Sequence, residues 1–239
     1  MNIDNISLPF GKLSFKGGVA RQESPLFVGD IHARPELLHG VLKITEGNKI
    51  ILLGDLLDGI GGARGSADCV RIARESGMEM VLGNHELYPI FAKDQRQLAT
   101  WWGEDPASDA GKRIWEEWMA IRRLLNDDDM EWLRSRPLFV KGSGWIAVHA
   151  KVTATLPAQY VVETPTEDQI ALVDHTESSP FWADVYNGAH GTAYYGHTRL
   201  SKRDGKVFND HAVLLDWDAK KGGICGVCVP GGMPRALLV

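Results

Sequence analysis

Five short apolar runs, each cut off by a polar cluster, constrain the fold of this chain more than any other feature. The runs cover residues 26–28, 49–53, 78–82, 144–148 and 193–195. Unbroken apolar runs of this length are typical of strands that are buried on both faces of a sheet. The polar residues that follow the runs are, in order, Asp30 and His32, Asp55 and Asp58, Asn84 and His85, His149, and His197. In α/β proteins sites form at the carboxyl ends of strands, so we expect these clusters to meet in one crevice.

The residue types in these clusters favour a divalent metal. Asp30 and His32 stand two positions apart at the end of an extended segment, where alternate side chains point the same way. A carboxylate oxygen combined with an imidazole nitrogen suits a divalent transition metal. Any one of these motifs is short and unspecific by itself. Their repetition after five strand-like runs indicates a single metal or catalytic centre in an α/β fold.

Composition argues against several other classes of protein. The chain of 239 residues has a net charge of −5, whereas a general nucleic-acid binder usually carries a basic surface. No apolar stretch reaches the roughly 18 residues that a membrane helix needs. Residues 1–10 lack the basic and apolar regions of a secretory signal. Three cysteines do not suggest a disulfide framework. We therefore expect a cytoplasmic protein with no nucleic-acid or membrane partner.

The remaining sequence predicts helices and loops within one domain that spans residues 1–239. Residues 1–25 are interpreted as a hairpin or an extended arm. Residues 59–65 are rich in glycine and predict a flexible loop. A helix is expected over 66–76, where apolar residues alternate with Arg and Glu, and Gly77 is a plausible residue to end it.

The stretch 87–135 differs in character, because it is rich in tryptophan and has a helical period. Its tryptophans are Trp101, Trp102, Trp115, Trp118 and Trp132. The spacing predicts a helical insert. Two interpretations of the tryptophans remain open: they pack into the core of the insert, or they form an aromatic wall beside the substrate.

The last part of the chain predicts two more strands, near residues 212–216 and 224–229. Cys225 and Cys228 form a C-x-x-C pair inside the second of these apolar stretches. A redox pair would normally open a helix, and a zinc site would need two further ligands. We therefore interpret both as buried structural cysteines.

Taken together, the motifs resemble the ordered signature of calcineurin-like metallophosphoesterases. They are Gly-Asp-Ile-His, Gly-Asp-Leu-Leu-Asp, Gly-Asn-His-Glu, Val-His-Ala and Gly-His-Thr, and they span residues 29–198. The pattern is most similar to that of phosphoprotein phosphatases, especially the small bacterial and phage members. This resemblance implies an α/β four-layer sandwich, with two mixed β-sheets flanked by helices. It also implies a metal-dependent phosphatase.

The resemblance implies a role for each ligand. Asp30 and His32 resemble ligands of a first metal, and Asp55 resembles the carboxylate that bridges both metals. The ligands of the second metal would be Asn84, His149 and His197. The expected cofactors are two divalent ions, in the first place Mn²⁺, with Fe or Zn also compatible with this donor set. Such a pair lowers the pKa of a shared water, and the bridging hydroxide would attack phosphorus directly.

The resemblance also implies an acid–base pair beside the metals. His85 adjoins Asn84 and is not itself a ligand by the pattern, so it would protonate the leaving oxygen as a general acid. Asp58 would hold the other ring nitrogen of His85, as a carboxylate orients a catalytic histidine. Asn84 would contact the substrate phosphate as well as the second metal.

Two positions depart from related patterns. Many relatives end in Gly-His-x-His, but Arg199 occupies that last position here, which again favours the phosphoprotein phosphatases. Those enzymes usually hold phosphate with an arginine directly after the second aspartate, and here that residue is Gly59. Arg64, Arg199 and Arg34 are the candidates to replace it, because a guanidinium group can bind phosphate through two hydrogen bonds.

Three functions are therefore considered. The first is a two-metal phosphatase that acts on a phosphorylated protein, peptide or small molecule. The second is a hydrolase of dinucleoside polyphosphates such as diadenosine tetraphosphate. Symmetrical diadenosine tetraphosphatases typically lack an equivalent of Asp58 and carry Gly-Asn-His-Asp, so Asp58 and Glu86 favour the first function. The third is a non-enzymatic metal-binding relative, which the complete set of ligand positions disfavours.

Overall fold

The computed structural model describes residues 24–45, 48–174, 180–199, 210–221 and 225–237. Within these ranges the chain forms two mixed β-sheets flanked by helices, which confirms the expected fold class. The arm predicted for residues 1–25 lies outside the described residues, apart from its last two positions.

The strands are short, and most of their residues are apolar and buried. Those within the described residues are β1 (Leu26–Val28), β2 (Ile50–Leu52), β3 (Glu79–Met80), β4 (Phe139–Gly142), β5 (Trp145–Val148), β6 (Thr192–Tyr195), β7 (Ala212–Leu214), β8 (Cys225–Cys228) and β9 (Arg235–Leu237). The first sheet has the order β3-β2-β1-β8-β9, and the second has the order β4-β5-β6-β7. β1, β2 and β3 are parallel to one another, as are β5, β6 and β7. All five predicted runs therefore became strands, and they divide between the two sheets.

The two sheets meet through a compact apolar layer. Phe27 of β1 stacks on Tyr194 of β6, with ring centroids 4.0 Å apart and planes 15° from parallel. Ile51, Ala147 and Val213 belong to the same layer. Because side chains alternate along a strand, the neighbours of Phe27 point away from this layer and pack in the larger core under the helices. This alternation explains why the strand sequences are apolar without interruption.

Eight α-helices lie within the described residues. They are α1 (Pro35–Ile44), α2 (Gly62–Glu75), α3 (Asn84–Phe91), α4 (Gln95–Trp101), α5 (Asp109–Arg122), α6 (Asp127–Arg134), α7 (Glu167–Val173) and α8 (Trp182–Val185). None of the described helices is long and apolar enough to cross a lipid bilayer.

The predicted insert at 87–135 is helical, since α3 to α6 occupy most of it. Acidic residues begin two of these helices, since α5 starts at Asp109 and α6 starts at Asp127. The Ser108 side chain accepts a hydrogen bond from the N–H of Gly111 to cap α5, and Asn126 caps α6 in the same way. Trp118 is buried in the core, as the packing interpretation predicts, while Trp102 is only partly buried and lies against His85.

Helix α2 begins at Gly62, four residues before the predicted start, so part of the expected glycine-rich loop is helical. A Cβ atom on Gly65 would lie 2.2 Å from the carbonyl oxygen of Ala33. The glycine thus lets the first turn of α2 approach the chain after β1, and composition alone does not distinguish this from a loop. At the other end, Gly77 has a φ of +67°, which agrees with its predicted role after the helix.

Candidate metal centre

The polar residues that follow β1, β2, β3, β5 and β6 converge on one crevice. The structure brings together all eight of the residues predicted as metal ligands or as the acid–base pair: Asp30, His32, Asp55, Asp58, Asn84, His85, His149 and His197. Most of them are buried, although His197 and Asp58 remain partly accessible. The convergence follows from topology, because the carboxyl ends of parallel strands open at one edge of each sheet.

The backbone around these residues turns sharply. His32, Asp55, Asp58 and His197 have φ values of +49°, +51°, +54° and +62°, in the left-handed region that residues other than glycine seldom adopt. Such conformations cost of order 1–3 kcal/mol each and cluster at functional sites. The turns after β1, β2 and β6 thus carry a local strain that points these side chains into the crevice.

Glycines in the motifs make room for the carboxylates. A Cβ atom on Gly83 would lie 2.2 Å from Oδ1 of Asp55, and one on Gly196 would lie 2.0 Å from Oδ1 of Asp30. Both distances are far inside van der Waals contact. The glycine that precedes Asn84 is therefore required by a carboxylate that follows the neighbouring strand β2, and the one that precedes His197 by a carboxylate that follows β1 of the other sheet.

His32 presents one lone pair to two carboxylates. Its Nδ1 donates a hydrogen bond to the carbonyl of Asp58 at 2.8 Å, so Nε2 is left without a proton in the neutral ring. This Nε2 lies 3.7 Å from Oδ2 of Asp30 and 3.6 Å from Oδ2 of Asp55. Burial lowers the pKa of His32 to about 4, despite the nearby carboxylate of Asp55. The neutral ring is the form that binds a metal.

His149 faces two oxygens in a similar way. Its Nδ1 donates to the carbonyl of Leu53 at 2.6 Å, while Nε2 lies 3.2 Å from Oδ1 of Asp55 and 3.1 Å from Oδ1 of Asn84. Burial opposes a charge on this ring, but Asp55 and then Asp30 outweigh it and raise the pKa of His149 to about 10. The acidic groups around His149 thus favour a bound cation. When no metal is bound, a proton on His149 supplies this positive charge.

His197 completes this side of the crevice. Its Nδ1 lies 3.2 Å from Oδ1 of Asn84, and its Nε2 lies 3.4 Å from Oδ1 of Asp174. Asp174 also accepts a hydrogen bond from the hydroxyl of Tyr88 at 2.8 Å. A carboxylate behind a metal-binding histidine fixes which ring nitrogen is free, so Asp174 would direct Nδ1 of His197 towards a metal.

The donor set fits two divalent ions. One atom each from His32, Asp55 and His85 lies within 4.8 Å of the others, and the same is true of Asp55, His149 and His197. Asp55 belongs to both groups, with Oδ2 towards the first and Oδ1 towards the second. Nitrogen and oxygen lone pairs that face each other across such gaps repel unless a cation lies between them. The first group contains His85, which was predicted as the general acid, while Asp30, which was predicted as a ligand, lies beside it at 3.7 Å from Nε2 of His32.

His85 and Asp58 form a hydrogen-bonded pair beside the first group. Nδ1 of His85 donates to Oδ2 of Asp58 at 3.0 Å, so Nε2 points into the crevice and lies 3.8 Å from Oδ2 of Asp55. Burial opposes the charge on Asp58, but the hydrogen bond from His85 and the nearby Lys220 lower the pKa of this carboxyl below its usual range. Asp58 therefore stays ionised and fixes the ring of His85.

Sequence reasoning did not identify three side chains around this site. Glu86 accepts hydrogen bonds from four backbone N–H groups, at Asp55, Leu56, Leu57 and Gly83. Asp174 orients His197, and the ammonium of Lys220 lies 2.9 Å from Asp58. Glu86 could have been found, because it stands in a recognised motif. Asp174 and Lys220 come from segments that carry no motif, so the sequence held no signal for them.

The three arginines proposed to hold phosphate are placed differently. Arg64 is exposed on the first turn of α2, and Arg199 is half-buried two residues after His197. Neither forms a hydrogen bond or an ion pair with another described residue. Arg34 donates from Nε to the carboxylate of Glu36 at 2.7 Å. No described contact therefore links Arg64 or Arg199 to the metal ligands, and their predicted role stays a prediction.

A cavity of about 240 Å³ opens beside His85 and Asp58. Its walls come mainly from the helical insert and are mostly apolar: Pro89, Leu98, Trp102, Ile114, Trp118 and Ile121, with Glu117 and Lys220 also lining it. The rings of Trp102 and His85 meet at an angle of 63°, with centroids 4.7 Å apart. If a ligand binds at His85, an apolar part of it could occupy this adjacent cavity.

Comparisons with known proteins agree with this geometry. The sequence model of the calcineurin-like phosphoesterases matches residues 25–229. A symmetrical bis(5'-nucleosyl)-tetraphosphatase from Methylobacillus flagellatus is 30% identical over 151 residues, which cover 61% of this chain and 49% of that protein. The match therefore spans about half the length of this relative.

Solved structures share the fold. A candidate diadenosine tetraphosphatase has a TM-score of 0.61 and 22% identity, over 91% of this chain and 95% of that one. A protein serine/threonine phosphatase from Saccharomyces cerevisiae has a TM-score of 0.50 and 12% identity, over 90% and 80% of the two chains. At these identities the likeness concerns the fold alone.

Proposed function

We propose that this chain, which belongs to the calcineurin-like phosphoesterase family, uses two divalent metal ions to hydrolyse phosphomonoesters. Family membership and the similarity to a tetraphosphatase support hydrolysis of phosphoester bonds. The observation that carries the finer proposal is Asp55, whose two oxygens face separate groups of histidine nitrogens. A carboxylate shared in this way is what a two-metal phosphoesterase requires.

The chain's own residues prepare the metal positions. Two divalent ions would polarise the phosphoryl group and acidify a water molecule for attack on phosphorus. Carbonyl oxygens lock Nδ1 of His32 and of His149, so that both rings present Nε2 to the crevice. Asp30 and Asn84 supply oxygen donors on the two sides of Asp55. This mixture of nitrogen and oxygen donors suits Mn²⁺, which we propose as the working ion, and is also compatible with Fe or Zn.

His85 would act as the general acid. Its Nε2 faces the crevice, and its Nδ1 is held by Asp58 at 3.0 Å. Once the ammonium of Lys220, which lies 3.3 Å from Nε2, turns to a ligand, a proton on Nε2 would pass to the oxygen that leaves phosphorus, while ionised Asp58 stabilises the charge on the ring. The ring is buried in the first turn of α3 and packed against Trp102, so its orientation is fixed before the substrate binds.

The substrate class has a first and a second candidate. The Asp58–His85 pair supports a phosphomonoester with a poor leaving group, such as phosphoserine in a protein or peptide, because such a group needs a general acid. The second candidate is a dinucleoside polyphosphate. It is supported by the Methylobacillus relative and by the apolar cavity beside His85, which offers an aromatic wall to a base. Arg64, Arg199 and Arg34 remain proposals for additional contacts to phosphate.

One screen separates these candidates. Purified protein with added Mn²⁺ is tested on phosphopeptides, small phosphomonoesters, nucleotides and diadenosine tetraphosphate, and the products are separated by chromatography. The proposal predicts that phosphate release from monoesters has the higher kcat/KM. Faster cleavage of diadenosine tetraphosphate would establish the second candidate instead. No turnover of any substrate by metal-loaded protein would support a non-enzymatic role.

A cytoplasmic location is also part of the proposal. Cys69, Cys225 and Cys228 are buried and free, and two of them lie in β8. Burial raises the pKa of the Cys69 and Cys225 thiols, so these groups are poorly reactive. The cysteines therefore act as packing residues and give no reason for an oxidising compartment.

A further inference from the structure

The residue after Asp58, where related enzymes carry an arginine, has no room for a side chain here. A Cβ atom on Gly59 would lie 2.1 Å from the carbonyl oxygen of His32. The turn that brings His32 and Asp58 together therefore excludes an arginine at this position. A side-chain cation beside a phosphoryl group at this position would have to come from another part of the chain.

Lys220 reaches this position from the other end of the sequence. It lies in a short 3₁₀ turn, Ala219–Lys221, which follows β7 and precedes β8. Ala219 is fully buried, and the N–H of Lys221 donates to the carbonyl of Asp218 at 3.0 Å, so the turn is anchored on both sides of Lys220. The side chain of Lys220 is 41% exposed, and its ammonium group can therefore adjust to a ligand.

The ammonium group of Lys220 lies next to Nε2 of His85, on the side where the leaving oxygen of a bound phosphoester would be protonated. Nζ is 2.9 Å from Oδ2 of Asp58 and 3.3 Å from Nε2 of His85. An ester whose leaving oxygen is within hydrogen-bond reach of Nε2 would bring phosphoryl oxygens within reach of Nζ as well. An ammonium group has three donors, so the bonds to Asp58 and to Nε2 of His85 leave one for a phosphoryl oxygen.

The charge of the crevice also supports a role for Lys220 in binding phosphate. The crevice holds the buried side chains of Asp30 and Asp55 in addition to Asp58. Two divalent ions would compensate part of this charge, and Lys220 adds a positive group on the side of Asp58 and His85. We infer that Lys220 is a phosphate-binding residue of the active site and takes the role that an arginine after Asp58 has in related enzymes. Lysine serves this purpose as a point charge. The inference rests on the proposed phosphoesterase function.

The test measures phosphate binding rather than turnover alone. Wild-type, Lys220→Met, Lys220→Arg and Lys221→Met proteins are loaded with Mn²⁺, their metal content is checked, and the Kd of inorganic phosphate is measured by calorimetry. Lys221 is the adjacent exposed lysine and serves as the matched control. We expect Lys220→Met to weaken phosphate binding by roughly 10- to 100-fold, the range for one charge-assisted hydrogen bond. Lys220→Arg should recover most of the affinity, and Lys221→Met should match the wild type.

The alternative is that Lys220 only neutralises Asp58 and so positions His85. In that case Lys220→Met would leave the Kd of phosphate unchanged and would slow only substrates with poor leaving groups, and the inference would be wrong. A failure of the proposed function looks different, because the wild-type protein itself would neither bind phosphate nor hydrolyse any phosphoester. Metal content equal to that of the wild type in Lys220→Met separates a loss of phosphate affinity from a loss of metal.

Discussion

The pair of His85 and Asp58 shows how much chemistry a single hydrogen bond fixes. Nδ1 of His85 is bound to Asp58, which leaves Nε2 as the only ring nitrogen that can exchange a proton with a ligand. The sequence predicted both residues through their motifs, because each follows a strand end. It could not predict that Lys220 would lie against the same nitrogen, since this contact joins residues that are 135 positions apart.

His85→Asn should retain both metals but lose general acid catalysis. A p-nitrophenolate group leaves readily without a proton, whereas an alkoxide does not. We expect kcat to fall by about 10²–10⁴-fold for alkyl phosphates and phosphoserine peptides, and by at least tenfold less for p-nitrophenyl phosphate. The measurement is kcat for a series of aryl and alkyl phosphates plotted against leaving-group pKa. His39→Asn, a change of an exposed histidine on α1, is the control. Parallel lines for His85→Asn and the wild type would show that His85 is not the acid.

His149 links metal binding to pH. Its pKa in the folded, metal-free protein is about 10, above the ordinary value of 6.5. A raised pKa contributes stability that is fully present below pH 6.5 and is lost as the pH rises through about 10. The urea midpoint of metal-free protein should therefore fall between pH 6.5 and 10, and it should fall less in His149→Gln. Equal declines in both proteins would contradict the proton-bound state of His149.

At the scale of elements, the carboxylate of Glu86 ties the end of β2 to the start of α3. It is fully buried and accepts four N–H donors from the backbone at positions 55–57 and 83. Burial raises the pKa of Glu86, while these hydrogen bonds favour its charged form. Its role is to hold the loop that carries Asp55 and Asp58, rather than to touch a metal or a substrate.

Glu86→Gln replaces one of these acceptor oxygens with an amide donor that would face backbone N–H groups. Each buried donor left without a partner costs about 1–3 kcal/mol, so we expect a loss of this size in the free energy of unfolding, together with weaker metal binding. Urea denaturation with and without metal measures both. Glu79→Gln is the control, because Glu79 is 41% exposed and pairs with Lys49 on the surface. A loss no larger than that of the control would exclude the proposed clamp.

Strands and helices with a regular hydrophobic pattern could be predicted from the sequence. Elements whose bounds depend on close packing could not. The apolar runs became β1, β2, β3, β5 and β6, because burial on both faces of a sheet leaves a clear signature. The early start of α2 was missed, since Gly62 and Gly65 are as common in loops as in tight helix contacts. β4 and β9 were also missed: each pairs only at a sheet edge, so its sequence is partly polar.

At the scale of the whole molecule, the site depends on how two separate sheets are packed. Asp30, Asp55 and Asn84 come from the first sheet, whereas His149 and His197 come from the second. The stack of Phe27 on Tyr194 fixes the spacing of the sheets directly beneath the ligands. The sequence predicted which residues would meet, but their distances depend on this packing. A single domain over residues 1–239 stays a prediction.

The most direct test of the two-metal centre is the metal content of Asp55→Asn. Protein reconstituted with Mn²⁺ and freed of excess metal should hold two ions per chain in the wild type, because one oxygen of Asp55 faces His32 and the other faces His149. An asparagine has only one oxygen to share, so Asp55→Asn should lose more metal than His32→Asn or His197→Asn, each of which removes a ligand of one ion. Two tightly bound ions in Asp55→Asn would contradict the account.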